Sequence, residues 1–230
     1  MKKIAGLFSI VALLALVAAC SGPKGERAET GEAKAKTTSD ANADEYFIDT
    51  TYSMIYWRGS KPTGEHHGTI NIRDGFLKVL DGEIVGGEIH IDMYTIDNLD
   101  LKGTDSYDKL VGHLKSEDFW AVNTYPTSLF QIVEVTEIEN PEMIGDTIMP
   151  SHRITGNLTM LDKTKSISFN AKVDMENGKI VAETPQFLID RTNWGIVFKS
   201  KSVFENLADN FIHDDIGLVI KMRAAEKGQI

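Results

Sequence analysis

The sequence predicts an all-β fold of about eight antiparallel strands with one or two short helices. The first observation behind this is strict two-residue alternation, the period of a strand with unlike faces. Ile89, Ile91 and Met93 alternate with Glu88, His90 and Asp92; Ile154, Gly156, Leu158 and Met160 alternate with Arg153, Thr155, Asn157 and Thr159. Ile167, Phe169, Ala171, Val173 and Met175 form the cleanest case, and Ile216, Leu218, Ile220 and Met222 close the chain in the same way. The second observation is a set of turn signals between these runs: Arg73-Asp74-Gly75, Leu80-Asp81-Gly82, Leu161-Asp162-Lys163 and Glu176-Asn177-Gly178. Asn-Gly suits a type I′ hairpin, and short connections imply antiparallel neighbours. The third is a single helical interruption between two β-rich halves.

In chain order, Lys2 and Lys3 precede an apolar run from Ile4 that ends in Val17-Ala18-Ala19-Cys20. This predicts a lipoprotein signal peptide over residues 1–19, cleaved before a lipid-bearing Cys20. The run is shorter than the roughly 20 residues a membrane span needs. Cys20 is the only cysteine, so no intrachain disulfide is available, and several acyl chains would anchor the protein stably. Residues 20–44 read as the lipidated cysteine and a disordered tether, because Ser21 to Asp44 holds no aromatic and no large aliphatic residue. Such a tether would reach about 25–30 Å. No acidic run follows Ser21, so the expected location is the cell envelope, at the periplasmic face of the outer membrane. Residues 45–230 are then one folded domain. The chain has 24 basic and 34 acidic residues, a net charge of −10, which disfavours nucleic acid and anionic membrane surfaces as partners.

Within the domain, Leu110, Val111 and Leu114 share one face of a short helix with Thr104 or Asp105 as its N-cap. Ser116 reads as a second cap, opening a turn that delivers Phe119 and Trp120 side by side. Pro126 then forbids further helix, so a strand begins there. A second helical patch is expected over 202–211, with Val203, Phe204, Leu207, Ala208 and Phe211 at helical spacing behind a Ser202 cap, as a lid or rim at one end of the sheet. Periodicity alone does not separate a closed barrel from a two-layer sandwich.

The run Gly112-His-Leu-Lys-Ser-Glu-Asp-Phe-Trp120 with Thr124-Tyr-Pro126 and Phe130 resembles the signature of the YceI-like family of bacterial lipid-binding barrels. Trp57-Arg-Gly-Ser-Lys61 with Gly64 to Gly68, Ile189-Asp-Arg-Thr-Asn-Trp-Gly-Ile196 and Phe211-Ile-His-Asp-Asp215 extend the resemblance over about residues 46 to 225. Four motifs in order make it specific as to fold. It implies an antiparallel eight-stranded lipocalin-like β-barrel, closed so that no edge is exposed and wide enough for one elongated ligand. The family usually has a second Phe and then Asp where this chain has Trp120 and Ala121, and a Gly in the hairpin at Leu161-Asp162-Lys163.

The resemblance implies a cavity lined by Phe119, Trp120, Phe130, Phe169, Phe187 and Trp194, although the same aromatics could fill the barrel solidly. His113 would meet a ligand headgroup at the mouth or satisfy helix carbonyls. Arg191 shares a face with Phe187 and Ile189, and there needs either a fold-holding carboxylate such as Asp118 or Asp215, or the polar end of a ligand. The six histidines include no His-x-x-x-His pair, and no metal site is expected. No Gly-x-Ser-x-Gly elbow occurs, and Ser106, Ser116, Asp105 and Asp118 near His113 do not make a triad by sequence proximity.

These observations lead to a non-enzymatic binding protein without cofactor. By resemblance its ligand would be a polyisoprenoid, an isoprenoid quinone or a fatty-acyl amphiphile, held for carriage or for buffering under envelope stress. The alternatives are a lipid-modifying envelope enzyme using His113, and a filled barrel whose outer surface docks a protein.

Overall fold

The computed structural model describes residues 22–35, 42–144 and 148–229; the leader and Cys20 lie outside them. In chain order the elements are β1 (Glu26–Arg27), β2 (Glu29–Glu32), β3 (Asp44–Ile48), β4 (Met54–Lys61), β5 (Gly64–Leu80), β6 (Glu83–Asn98) and helix α1 (Tyr107–Lys115). There follow β7 (Thr127–Glu137), β8 (His152–Met160), β9 (Lys163–Glu176), β10 (Lys179–Glu183), β11 (Phe187–Asp190), a 3₁₀ turn at Arg191–Trp194, and β12 (Asp215–Glu226).

The sheet closes into a ring. β5 to β10 pair antiparallel in sequence order, β10 and β11 both pair β12, and β12 pairs both β3 and β4, which pair β5. β3 with β4, and β10 with β11, each form one interrupted stave. Counted as staves, the predicted eight-stranded barrel is what forms.

The hairpins at Asp81-Gly82 and Asn177-Gly178 place both central residues at positive φ, the type I′ geometry whose twist matches paired strands. The turn expected at Arg73-Asp74-Gly75 does not form. β5 runs through it as one strand of 17 residues with a register shift between Ile72 and Asp74. Gly75 serves close strand approach there instead, since a Cβ would lie 2.6 Å from the Glu88 carbonyl oxygen.

Helix α1 starts two residues later than Thr104, and one later than Asp105, would set it, with Ser106 at the N-cap and no side-chain cap bond. Ser116 ends the helix, its hydroxyl donating to the His113 carbonyl at 2.8 Å. The patch at 202–211 is not helical. Asn206 and Ala208 have left-handed φ, and Val203 and Phe204 stand about half exposed, so the apolar spacing finds no core surface to cover.

The tether expectation also fails in part. Residues 22–35 are ordered on the barrel, with β1 parallel to β11 and β2 antiparallel to β9. Only Ala28 in these two strands and their link is buried. Composition ruled out a segment folding on its own apolar surface, but this one uses backbone hydrogen bonds to the free edges of β9 and β11.

Strand direction sorts the connections into two ends. At one lie the β4–β5 and β8–β9 hairpins, α1 and the 191–214 connection; at the other lie 81–82, 138–151 and 177–178. Toward the second end Ile48, Leu77, Val79, Ile84, Ile154, Val173, Ile180 and Ala224 pack into solid core.

Candidate functional site

Above that floor the barrel is hollow. A cavity of about 420 Å³ opens at the α1 end, within the size range of small-molecule sites. Its wall comes from the inward positions of successive strands: Ile55 and Trp57 on β4, Ile70 and Ile72 on β5, Ile89, Ile91 and Met93 on β6, Leu158 and Met160 on β8, Ile167 and Phe169 on β9. The alternation that predicts the strands therefore also lines the cavity. Gly156 makes room for one lining ring, since a Cβ there would sit 2.4 Å from the Phe130 ring. Phe169 stacks on Phe187 with centroids 4.5 Å apart and planes 4° from parallel, and Phe130 tilts against Phe169 at 5.7 Å.

At the mouth, the turn after α1 places Phe119 and Trp120 against the opening. The Ala121 amide donates to the Ser116 carbonyl at 2.8 Å, and Ala121 itself takes φ 42°, a conformation that Asp or Asn tolerates better than Ala. His113 has its ring edge-on to Phe119 and Phe198, at 5.1 and 4.7 Å, with Nε2 2.9 Å from an Asp118 carboxylate oxygen. It lines the opening rather than capping helix carbonyls with its ring. Lys61, Lys199, Asp209, Asn210 and His213 complete the polar rim.

Arg191 is 1% exposed. Its guanidinium donates to the carbonyls of Ile196 (2.6 Å), Phe198 (3.0 Å), Ile212 (3.2 Å) and His213 (3.3 Å), and reaches Asp214 at 3.4 Å. Burial pushes its pKa down, while Asp214 and Asp190 push the other way. Arg191 touches the cavity wall, yet its donors are taken up by the 191–214 connection. Of the two roles open in the sequence it holds the fold, and its carboxylate is Asp214 rather than Asp118 or Asp215.

Trp194 is displaced from its expected role. It is fully buried, donates from Nε1 to the Leu158 carbonyl at 2.9 Å, and does not reach the cavity. The 3₁₀ turn after β11 rotates it out of the strand's inward register. Phe119, Trp120, Phe130, Phe169, Phe187, His113 and Arg191 all line the cavity.

A second clamp holds the rim. Burial pushes the Asp100 carboxyl up, but hydrogen bonds from the His67 amide, His66 and Asn98 outweigh it and hold the pKa at about 2. Asp100 thereby ties the β4–β5 hairpin strand to the segment leading into α1. Among the described residues, Ser60 Oγ and His213 Nε2 are buried side-chain atoms of the cavity wall without a hydrogen-bond partner. The Glu83, Glu137 and His152 ligand atoms lie within 4.8 Å of one another, at the far end and away from the cavity. No helix among the described residues is long and apolar enough to cross a membrane.

With the closed barrel and its apolar cavity described, a match of residues 46–224 to the family model of the YceI-like domain settles the family. The chain belongs to the YceI-like family. The YceI-like barrel is similar to the crystal structure of Burkholderia cenocepacia BcnA, with TM-score 0.59 and 13% identity, over 77% of this chain and 99% of that one. It is also similar to a polyisoprenoid binding domain from Saccharophagus degradans, with TM-score 0.51 and 11% identity, over 79% of this chain and 98% of that one. Among curated proteins none matches by sequence. At these identities the likeness is one of fold. The positions that sequence reasoning missed in this YceI-like cavity are aliphatic, Ile70, Ile72, Ile189 and Ile216 among them; their signal was the alternation itself, read for burial and not for a wall facing empty space.

Proposed function

We propose that this protein is a bacterial envelope lipoprotein that holds one long apolar amphiphile by its tail, for carriage or sequestration, and that it makes or breaks no bond. The observation that carries this reading is the apolar cavity of about 420 Å³, closed by packed core below and open through a polar rim above. Such a shape suits a tail inside and a polar end at the mouth, where Ser60, His113 and His213 offer hydrogen bonds. The ligand class is a polyisoprenoid, an isoprenoid quinone or a fatty-acyl compound, in line with the binding named for the Saccharophagus degradans domain. Binding comes from removing the tail from water, at about 0.8 kcal/mol per buried CH₂ before entropic costs.

A carrier is favoured over an enzyme by the surroundings of His113. Its ring contacts are Phe119, Phe198 and the exposed Asp118, and the nearby Ser116 hydroxyl is committed to a backbone carbonyl. Among the described residues no oriented nucleophile stands beside it.

Native mass spectrometry of the protein purified with membrane extract tests the reading. A stoichiometric adduct of several hundred daltons that extracts into chloroform is the expected result. A clean apo mass after exposure to quinones, polyprenols and fatty acids overturns it. The His113→Ala variant separates the two classes, since it abolishes turnover in an enzyme but only shifts affinity in a carrier.

A further inference from the structure

Two separate features converge on the mouth of the barrel. The first is where the ordered N-terminal segment begins. A Cβ on Gly22 would lie 3.3 Å from the His213 ring, on the rim. From there the chain crosses the outside of the barrel. Pro23 and Gln186 flank Gly217, whose added Cβ would meet them at 3.3 and 3.1 Å, and Gln186 donates to the Lys24 carbonyl. It then enters the wall as β1 and β2. Cys20 precedes Gly22 by two residues, so their Cα atoms are at most about 7 Å apart. The described part of the expected tether therefore begins at the rim and runs from there along the wall.

The second feature is the loop beyond Phe198. Its base is fixed by the Ile212 amide donating to the Lys199 carbonyl at 2.9 Å. Lys199 and Lys201 lie over the rings of Phe198 and Phe211, at 5.7 and 4.8 Å. Val203 and Phe204 project from it half exposed, with no packing partner among the buried core. Two lysines and the two acids Glu205 and Asp209 leave the loop without net charge. The opposite end of the barrel also exposes Met143 and Met149, and exposed carboxylates lie at both ends, Glu137, Glu139 and Glu142 there and Asp105, Asp108 and Glu117 at the mouth; what sets the mouth apart is that the cavity opens there, whereas the opposite end is packed core.

We propose that the mouth end seats on a lipid bilayer, with Val203 and Phe204 set among the headgroups, so that the cavity opens into the membrane and its ligand transfers without crossing water. Anchoring at the rim rests on the proposed lipidation of Cys20; seating of the loop does not. Interfacial amphipathic helices bury their apolar face about 5–10 Å into the headgroup and acyl boundary, which sets the depth proposed for Val203 and Phe204, and a neutral loop predicts binding to zwitterionic lipid that salt does not weaken.

The test uses the full chain, matured in bacteria and reconstituted in phosphatidylcholine nanodiscs. With Cys20 blocked by its thioether, Val203→Cys or Asp81→Cys supplies the one free thiol for an environment-sensitive fluorophore. Doxyl-labelled phosphatidylcholine should quench the label at position 203 several-fold more than the label at 81. Equal quenching, or stronger quenching at 81, overturns the seat. Intact mass reports the anchor separately. If no acyl mass is present, the anchor reading fails, and the leaderless Cys20→Ser, Val203→Cys chain on phosphatidylcholine vesicles decides the loop by the same quenching. There, replacing Phe204 by Ser should lower partitioning by about tenfold or more. Shielding of position 203 by envelope proteins but never by lipid assigns the loop to a protein partner and rejects the bilayer.

Discussion

Replacing Arg191 with Met separates the two roles that its sequence position leaves open. Methionine keeps much of the length and fills the space without donors, so four carbonyl oxygens and the Asp214 carboxylate lose the guanidinium together. Removing one partner of a buried charge pair costs about 3–5 kcal/mol, and stranding buried carbonyls at about 1–3 kcal/mol each pushes toward the upper end. For a domain of this size each kcal/mol lowers Tm by about 2–4 °C, so the delipidated variant should melt about 6–20 °C below the parent. Thermal unfolding followed by circular dichroism reads the shift. Hydrogen exchange should locate the damage between residues 191 and 214, which Arg191 fastens from inside. Arg191→Lys should fall between, because three point-like donors cannot serve a fan of acceptors that a planar fork reaches. A variant that melts within about 2 °C of the parent while losing its ligand would refute this reasoning and make Arg191 a headgroup contact.

The remaining tests address the cavity, the rim and the wall. Ile91→Trp adds bulk to a residue facing the cavity and should reduce ligand loading in native mass spectra with little loss of Tm; full loading would mean the tail lies elsewhere. Asp100, held at about pKa 2 in the folded chain against about 3.9 unfolded, contributes stability that is fully present above pH 4 and lost as pH falls toward 2. With allowance for its partial exposure the contribution is about 1–2 kcal/mol, so urea midpoints of the parent and Asp100→Asn should differ at pH 5 and converge near pH 2. Trp194→Phe, which forfeits the bond to the Leu158 carbonyl, should cost about 1–3 kcal/mol and leave ligand loading unchanged; a loading defect would return Trp194 to the cavity. A chain starting at residue 45 should lose about 1–2 kcal/mol and exchange the amides of 165–168 and 187–188 faster than the full chain does.

The barrel was legible because alternation and Asn-Gly or Asp-Gly turns are local signals with a fixed structural meaning. Arg73-Asp74-Gly75 misled because a glycine in a strand serves close backbone approach as readily as a turn, and that choice depends on a neighbour 13 residues away, Glu88. The apolar spacing in 202–211 misled for a related reason: helical periodicity specifies a helix only where a core waits to receive its face. Of the candidate site, the aromatics were placed by motif, and Trp194 left the set because the 3₁₀ turn resets the inward register that β11 had established. The partner of Arg191 was illegible because it is mainly backbone, and carbonyls carry no sequence signature.

The strands that complete the wall between β9 and β11 lie at residues 26–32, ahead of the stretch from 46 to 224 that defines kinship with the family. The stretch that defines the family and the stretch that completes the wall are therefore different lengths of chain. A recombinant fragment trimmed to the family stretch would present two unsatisfied strand edges, facing each other across a slit, and the piece able to fill that slit most readily would be the same segment donated by another molecule.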